Sequence, residues 1–521
     1  MIYNLLYLNK MRFGLINILV LLAAAGIGYY WYSNYYEPKI TYDYDIIVVG
    51  SGLAGLTAAY EANFISSGEQ RILILEKEQG YGGNSMKATS GINILNSPVQ
   101  AKNKIKDSYS LFYNDTIKSG KNLSVPGLVS KLVGDSTNVY DFFINLKVDL
   151  SQIGILGGHS VARTHRPAKT PVGYTLTSTL YKTILAENKN TTFYSNVTVV
   201  DLVYNKRAST VQGVIYRKNV NHELHTVYAK SVILASGGFG HDFSDINNGG
   251  ESLLKKYVPH LMKFPTTNGP QAQGLGVKMA KRIGAGLVDM DQVQLHPTGF
   301  VDLTNRYDKK KFLAPELIRG VGAIILNQEG KRFCNEIGTR DYVTNRILKN
   351  VKKQNSENID QYEAYMILNQ KAVDNYGPNL QFYIKKGLIG KYDNFKQFSD
   401  KFGIDYSTLS QTINSYNKNV NGTKDEFGKV LFPQRFDIND IVYVSVICPS
   451  IHYTMGGLKM SNNGEILRPD GTPIKGLYGA GEVTGGVHGG NRLGGNSLLE
   501  CAVYGRRAAR AAVENTFRRT N

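Results

Sequence analysis

Three glycines, Gly50, Gly52 and Gly55, stand at the spacing that lets a backbone close around a pyrophosphate, and Glu76 follows where a carboxylate can accept ribose hydroxyls. In such a turn the first glycine permits the sharp bend. The second brings the backbone against the phosphates, and the third lets helix and strand pack closely. Leu53 and Ala54 occupy the variable positions, and Lys77 follows the acid. The elements that must hold these groups are legible on either side. Tyr44–Val49 (YDIIVV) is a β-branched run suited to a buried parallel strand, Leu56–Phe64 reads as a helix whose N-terminus faces the anion, and Arg71–Glu78 reads as a second strand. The spacing to Glu76 is slightly long, and a loop at Ser66–Gln70 accounts for the excess.

Two later segments separate FAD from a nicotinamide cofactor. Ser231–Gly240 (SVILASGGFG) is a strand running into a glycine turn that carries Ala235 and Gly237, and Gly476–Glu482 (GLYGAGE) is another strand ending in small residues and an acid. Flavoproteins of the glutathione-reductase type return the chain to one FAD with such segments, which an NAD domain does not need. Gly82-Gly83-Asn84-Ser85 and then Ala88-Thr89-Ser90-Gly91 read as the loop over the flavin.

Composition narrows the field further. A chain of 521 residues leads us to expect two domains, and the 54 glycines fit backbone held close to ligands or in tight turns. The formal charge of +18 raises nucleic-acid binding, but no dense basic run or recognisable module supports it. A positive field also gathers a dianionic substrate. The cysteines Cys334, Cys448 and Cys501 form no CxxC or CxxCH pattern, so a c-type haem and a thiol redox pair are not expected, and three thiols cannot hold a four-thiolate cluster.

Phe13–Tyr32 is uncharged and long enough to span a bilayer, with Lys10 and Arg12 before it and no acid before Glu37. The positive-inside rule leaves Met1–Arg12 in the cytosol and carries the body across. This leads us to expect a single-pass anchor or, with Ala23-Ala24-Ala25 as a cleavage site, a signal peptide. Either places the protein in the secretory pathway, in the endoplasmic reticulum lumen or membrane, with the mitochondrion as the alternative. The sequons at Asn114, Asn122, Asn190, Asn196 and Asn421 matter only in that compartment.

From Asp43 onward the chain strongly resembles the soluble fumarate reductases of the succinate dehydrogenase/fumarate reductase flavoprotein superfamily. The strings that carry this are GGNSMKATSGIN, GGHSVARTHR, DMDQVQLHPTGF, GKRFCNEIGTRD, HYTMGG and GEVTGGVHGGNRLGGNSLLECAVYGR, the last resembling the haem-free fungal members. The resemblance implies an α/β fold: a glutathione-reductase-type, Rossmann-like FAD-binding domain with an inserted α+β capping domain, preceded by an N-terminal hydrophobic helix. Its expected boundaries are 1–42 for the N-terminal segment and linker, 43–290 and 452–521 for the FAD domain, and 291–451 for the cap.

The same resemblance implies the roles. His296, His452 and Arg492 map onto residues that bind the substrate carboxylates, with the backbone N–H groups of Gly494 and Gly495 as further donors, and Ser497 and Leu498 map onto the cofactor site. Arg pairs with carboxylates bidentately, and histidines beside it add hydrogen bonds to the same dianion. Arg340 matches the family's proton donor, and Glu316 and Arg319 match the relay that returns its proton. An arginine acts as an acid only if reprotonation is immediate, because its guanidinium otherwise stays charged. Taken alone, Glu316 and Arg319 are an ordinary i,i+3 pair. His159 and His165, in the GGHSVARTHR string, are expected to support the active-site region structurally.

Three departures qualify the match. The family's Thr-Gly-Asp-Gly reads Gln273-Gly274-Leu275-Gly276, Pro315 stands where some members carry threonine, and Met86 stands where a histidyl flavin link would need a histidine, so noncovalent FAD is expected. The leading expectation is a monomeric enzyme that reduces fumarate to succinate with reduced FAD, reoxidising external reduced flavin or another donor. A flavin-dependent reductase or oxidase of another small unsaturated acid or amino acid stays open. So does a membrane-tethered flavin-binding protein without turnover.

Overall fold

The computed structural model describes Val20, Ala23–Ala25 and residues 40–519, except 188, 245–249, 355, 421 and 423. Most of the apolar N-terminal segment and the sequon Asn421 lie outside the described residues. Among those described, no helix is long and apolar enough to cross a membrane. The folded body, Asp43–Asn521, is a unit separate from Met1–Tyr42.

The body begins with β1 (Tyr44–Val49), whose residues after Tyr44 are all buried, and turns at Gly50 into α1 (Leu53–Ile65). A Cβ on Gly55 would collide with the carbonyl oxygen of Gly50, so only glycine allows the helix to start this close to the strand. Strand β2 (Ile72–Leu75) lies parallel to β1 in the register Ile46↔Ile72, and Ser66–Gln70 forms the turn that precedes it. β3 (Thr191–Tyr194) continues the sheet beyond β2, and β4 (Leu224–Leu234) pairs parallel on the other side of β1, Ile47 opposite Val232. Helix α2 (Leu275–Arg282) follows a left-handed Gly274.

The chain then builds a second sheet, six-stranded among the described residues. Its central pair is β5 (Val293–Phe300) and β6 (Val442–Thr454), and α3 (Arg340–Asn350) lies between them in sequence. Two of the buried apolar clusters on this sheet, one around Ile318, Met366 and Ile447 and one around Phe395, Leu409 and Phe436, are distinct from the large core around β1. Strand β7 (Pro473–Gly479) rejoins the first sheet parallel to β4, Leu477 opposite Val232, completing eight strands among the described residues. The last helix is α4 (Asn496–Arg518), whose buried face follows its apolar spacing. Arg506, Arg507 and Arg510 of α4 pair with Glu61 and Asp135.

Candidate active site

The ends of β1, β2, β4 and β7 converge on a cavity of about 860 Å³. It is lined by Gly50, Gly52, Leu53, Ala54, Glu76, Lys77, Gly83, Asn84, Ser85, Thr89, Ser90, Gly91, Ala235, Gly237, Glu482, Ser497 and Leu498. Gly55 stands behind this wall as a packing residue. The wall fits a dinucleotide. A Cβ on Gly52 would meet only Ser85 Oγ, at 3.7 Å, and one on Gly237 would meet nothing within 4 Å, so both backbones lie open to a ligand. The N-terminus of α1 carries no side-chain cap and offers its positive dipole end to phosphate. Glu76 sits at the end of β2, its carboxylate fixed by Ser51 N–H at 2.8 Å, Ser51 Oγ at 2.6 Å and Glu78 N–H at 2.9 Å, with lone pairs left for hydroxyls. Asn84 is held by Asn268, Gly269 and Gln271, and Lys77 donates to Gln273 at 2.5 Å. Leu275 also lines the cavity, placing an apolar side chain there. Burial pushes the Glu482 carboxyl up to about 7, against the lowering effect of the Thr454 N–H bond.

His452, Arg492, Gly495 and Arg340 line the same cavity, and His296 sits directly behind His452, their rings 4.9 Å apart and edge to face. Both histidines occupy irregularities in the β5–β6 ladder. The register passes from Gln294↔Tyr453 to Leu295↔Ile451, which makes His452 the extra residue of a bulge, and a second shift falls between His296 and Gly299. Pro297, lacking an N–H, stands at that second break. Bulges re-aim side chains out of the ladder, so one local device presents two histidines from adjacent strands.

A backbone hydrogen bond sets the tautomer of His296. Thr298 N–H donates to His296 Nδ1 at 3.3 Å, which leaves the ring proton on Nε2, and that buried Nε2 has no hydrogen-bond partner. His452 Nδ1 is 2.8 Å from Thr267 Oγ1. Burial, then the charge of Arg340, holds both imidazoles well below their ordinary range, so both are neutral near pH 7. Arg492 is buried with its guanidinium 4.2 Å above the Tyr453 ring, and its Nε lacks a partner. Burial and then the neighbouring Arg340 lower it to about 10, which leaves it charged.

Glu316 is the hub of the third group. Its Oε2 accepts Arg340 Nε at 2.7 Å, its Oε1 accepts Gly157 N–H at 2.8 Å, and Arg319 Nη2 stands 3.6 Å from Oε1. Burial raises the Glu316 carboxyl, but Arg340 and Arg319 outweigh it and hold it at about 2. Arg319 is fully buried behind Glu316, donating to the carbonyls of Glu336 at 2.5 Å and Gly338 at 3.3 Å. Arg340 opens α3, where a helix dipole disfavours a cation, and Glu316 offsets that cost. Thus the cavity touches Arg340 alone of the three, and the other two lie in line behind it.

Gln294, outside the expected set, completes the arrangement. Gln294 accepts Arg340 Nη1 at 2.9 Å and donates to the Arg492 carbonyl at 3.0 Å, tying the two arginines together through one amide. Its spacing two residues before His296, on the same face of β5, was the one available hint.

Comparison with known proteins agrees with this geometry. The sequence profile of the family described as FAD binding domain matches residues 45–498. The chain is 38% identical over 482 residues to a fumarate reductase of Schizosaccharomyces pombe, covering 91% of this chain and 90% of that protein. It is 40% identical over 479 residues to fumarate reductase 1 of Saccharomyces cerevisiae, covering 89% of this chain and 97% of the relative. Among solved structures, the open conformation of a flavocytochrome c3 fumarate reductase matches with a TM-score of 0.71 at 31% identity, over 91% of this chain and 78% of that one. The chain therefore belongs to the FAD-binding-domain family, within the succinate dehydrogenase/fumarate reductase flavoprotein superfamily, and FAD is its cofactor.

Proposed function

We propose that this flavoenzyme reduces fumarate to succinate. The observation that carries the reading is the grouping of Arg492, Arg340 and His452 on a cavity wall built for a dinucleotide, with His296 packed against His452 and the Glu316–Arg319 pair behind Arg340. Arg492 and the two histidines hold the carboxylates of a short diacid, and Gly495 N–H adds a donor. FAD, when bound and reduced, supplies the hydride. Arg340 holds a proton over the same pocket for the other carbon. Glu316, ionised at rest, takes up a proton from the Arg319 side once Arg340 has given up its own, and passes that proton on to Arg340. Fixing both carboxylates aligns the reacting carbon, and such alignment accounts for several kcal/mol, about 7–11 in favourable cases.

The test is a purified, FAD-loaded preparation given reduced viologen or reduced free flavin and fumarate, with succinate quantified. Absence of fumarate-dependent donor oxidation would overturn the reading. The donor in the cell is an external reduced flavin or a comparable carrier, and the working form is a monomer. Localisation follows from the N-terminal sequence, Lys10 and Arg12 before the apolar Phe13–Tyr32: the secretory pathway, in the endoplasmic reticulum lumen or membrane, with the mitochondrion as the alternative. Fractionation with protease protection separates these. Degradation of the body in sealed microsomes by added protease would exclude a lumenal enzyme.

A further inference from the structure

A buried charged assembly stands behind the turn that follows Arg492. Arg163 is fully buried and pairs with Asp107 at 2.9 Å and Asp115 at 2.5 Å. Its Nη1 also lies 3.0 Å from His159 Nδ1, and His159 Nε2 lies 3.0 Å from the carbonyl oxygen of Gly494. A guanidinium has donors only, so His159 Nδ1 must accept. The ring is neutral, since burial and then the charge of Arg163 lower it to about 4. The single ring proton is therefore on Nε2 and is donated to Gly494. Asn93 donates to the same carbonyl at 2.8 Å, and its own carbonyl accepts from Thr164 Oγ1 at 2.6 Å.

These bonds fix one peptide plane. In a trans peptide the N–H of residue 495 points opposite to the carbonyl of residue 494. With that carbonyl held from behind by His159 and Asn93, the Gly495 N–H turns to the other side, and Gly495 lines the cavity. Gly495 has φ +83°, and a Cβ there would strike Asn93 Oδ1, so the turn accepts only glycine. We infer that His159, its tautomer set by Arg163 and the two aspartates, is a positioning residue that aims the Gly495 amide at a substrate carboxylate.

The inference rests on the reading of the site as one for a short diacid, and two substitutions separate its parts. His159→Gln keeps a donor that reaches Gly494. His159→Asn keeps an acceptor for Arg163 but does not reach Gly494. The FAD-loaded full-length protein and both variants are compared for FAD content, succinate affinity by calorimetry, and KM and kcat for fumarate. Expected are FAD content at wild-type level throughout, a rise of about tenfold in KM and in the succinate Kd for His159→Asn with kcat changed far less, and recovery to within about twofold in His159→Gln. Equal behaviour of the two variants, whether both impaired or both normal, overturns the positioning role, as does recovery by Asn rather than Gln. A wild-type protein that neither turns over fumarate nor binds succinate overturns the functional reading instead, and is seen before any variant is made.

Discussion

Arg340 and Glu316 share a 2.7 Å bond from Nε to Oε2, so the arginine reaches the cavity while its other side is fixed to a carboxylate that accepts little else but Gly157 N–H. In the proposed mechanism this pairing gives Arg340 a route, through Glu316, by which a proton given up at the cavity is replaced. Arg340→Lys shortens the reach and breaks the fork. Turnover of fumarate should fall by about 10²–10⁴-fold with FAD content unchanged, measured by succinate formation and by flavin absorbance. A variant with full turnover contradicts the role.

Arg492 is expected to act mainly on binding. It is buried, charged and incompletely hydrogen-bonded, resting on Tyr453. Arg492→Met keeps the volume and removes the charge and donors. Its kcat/KM for fumarate should drop by about 10²-fold or more, chiefly through KM. A steady-state titration with fumarate decides it.

Gln294 links Arg340 to the Arg492 carbonyl through one amide. Gln294→Leu frees Arg340 Nη1 and the Arg492 carbonyl together. We expect kcat to fall about tenfold with a smaller change in KM, since alignment rather than affinity is lost. A change confined to KM would show that the amide serves only the loop.

The FAD-free protein should show a pH signature from Glu482. Its carboxyl is raised to about 7 in the folded chain, above its ordinary value of 4.5. The folded state thus holds a proton that the unfolded chain has released, and the stabilisation, full below the unfolded value, is lost as pH rises through about 7. Melting temperature should decline from about pH 5 to about pH 8 more steeply in wild type than in Glu482→Gln, by roughly 2–4 °C or more. Parallel curves would refute the assignment.

Much of the cofactor wall was legible because its residues are contiguous. A β-branched strand, a glycine turn and a helix read as one unit, and Glu76 follows on the next strand. The substrate end was legible only through resemblance. His296 and His452 owe their direction to breaks in a ladder between strands far apart in sequence, and no local pattern announces a bulge. Gln294 was harder still, and His159 was legible only as structural support of the region. Which carbonyl a single amide or imidazole meets is seen only in the fold. The apolar N-terminal stretch, by contrast, is plain in sequence and lies largely outside the described structure.

The unsatisfied His296 Nε2 and Arg492 Nε have a consequence for flux. On the proposed reading both groups serve carboxylate oxygens, which fumarate and succinate carry alike, so product is expected to compete with substrate for the resting pocket. Succinate should raise the melting temperature of the oxidised holoenzyme with the logarithm of its concentration, as any ligand confined to the native state does. Net reduction should then slow as succinate accumulates, with the ratio of the two diacids governing how fast the flavin is reoxidised.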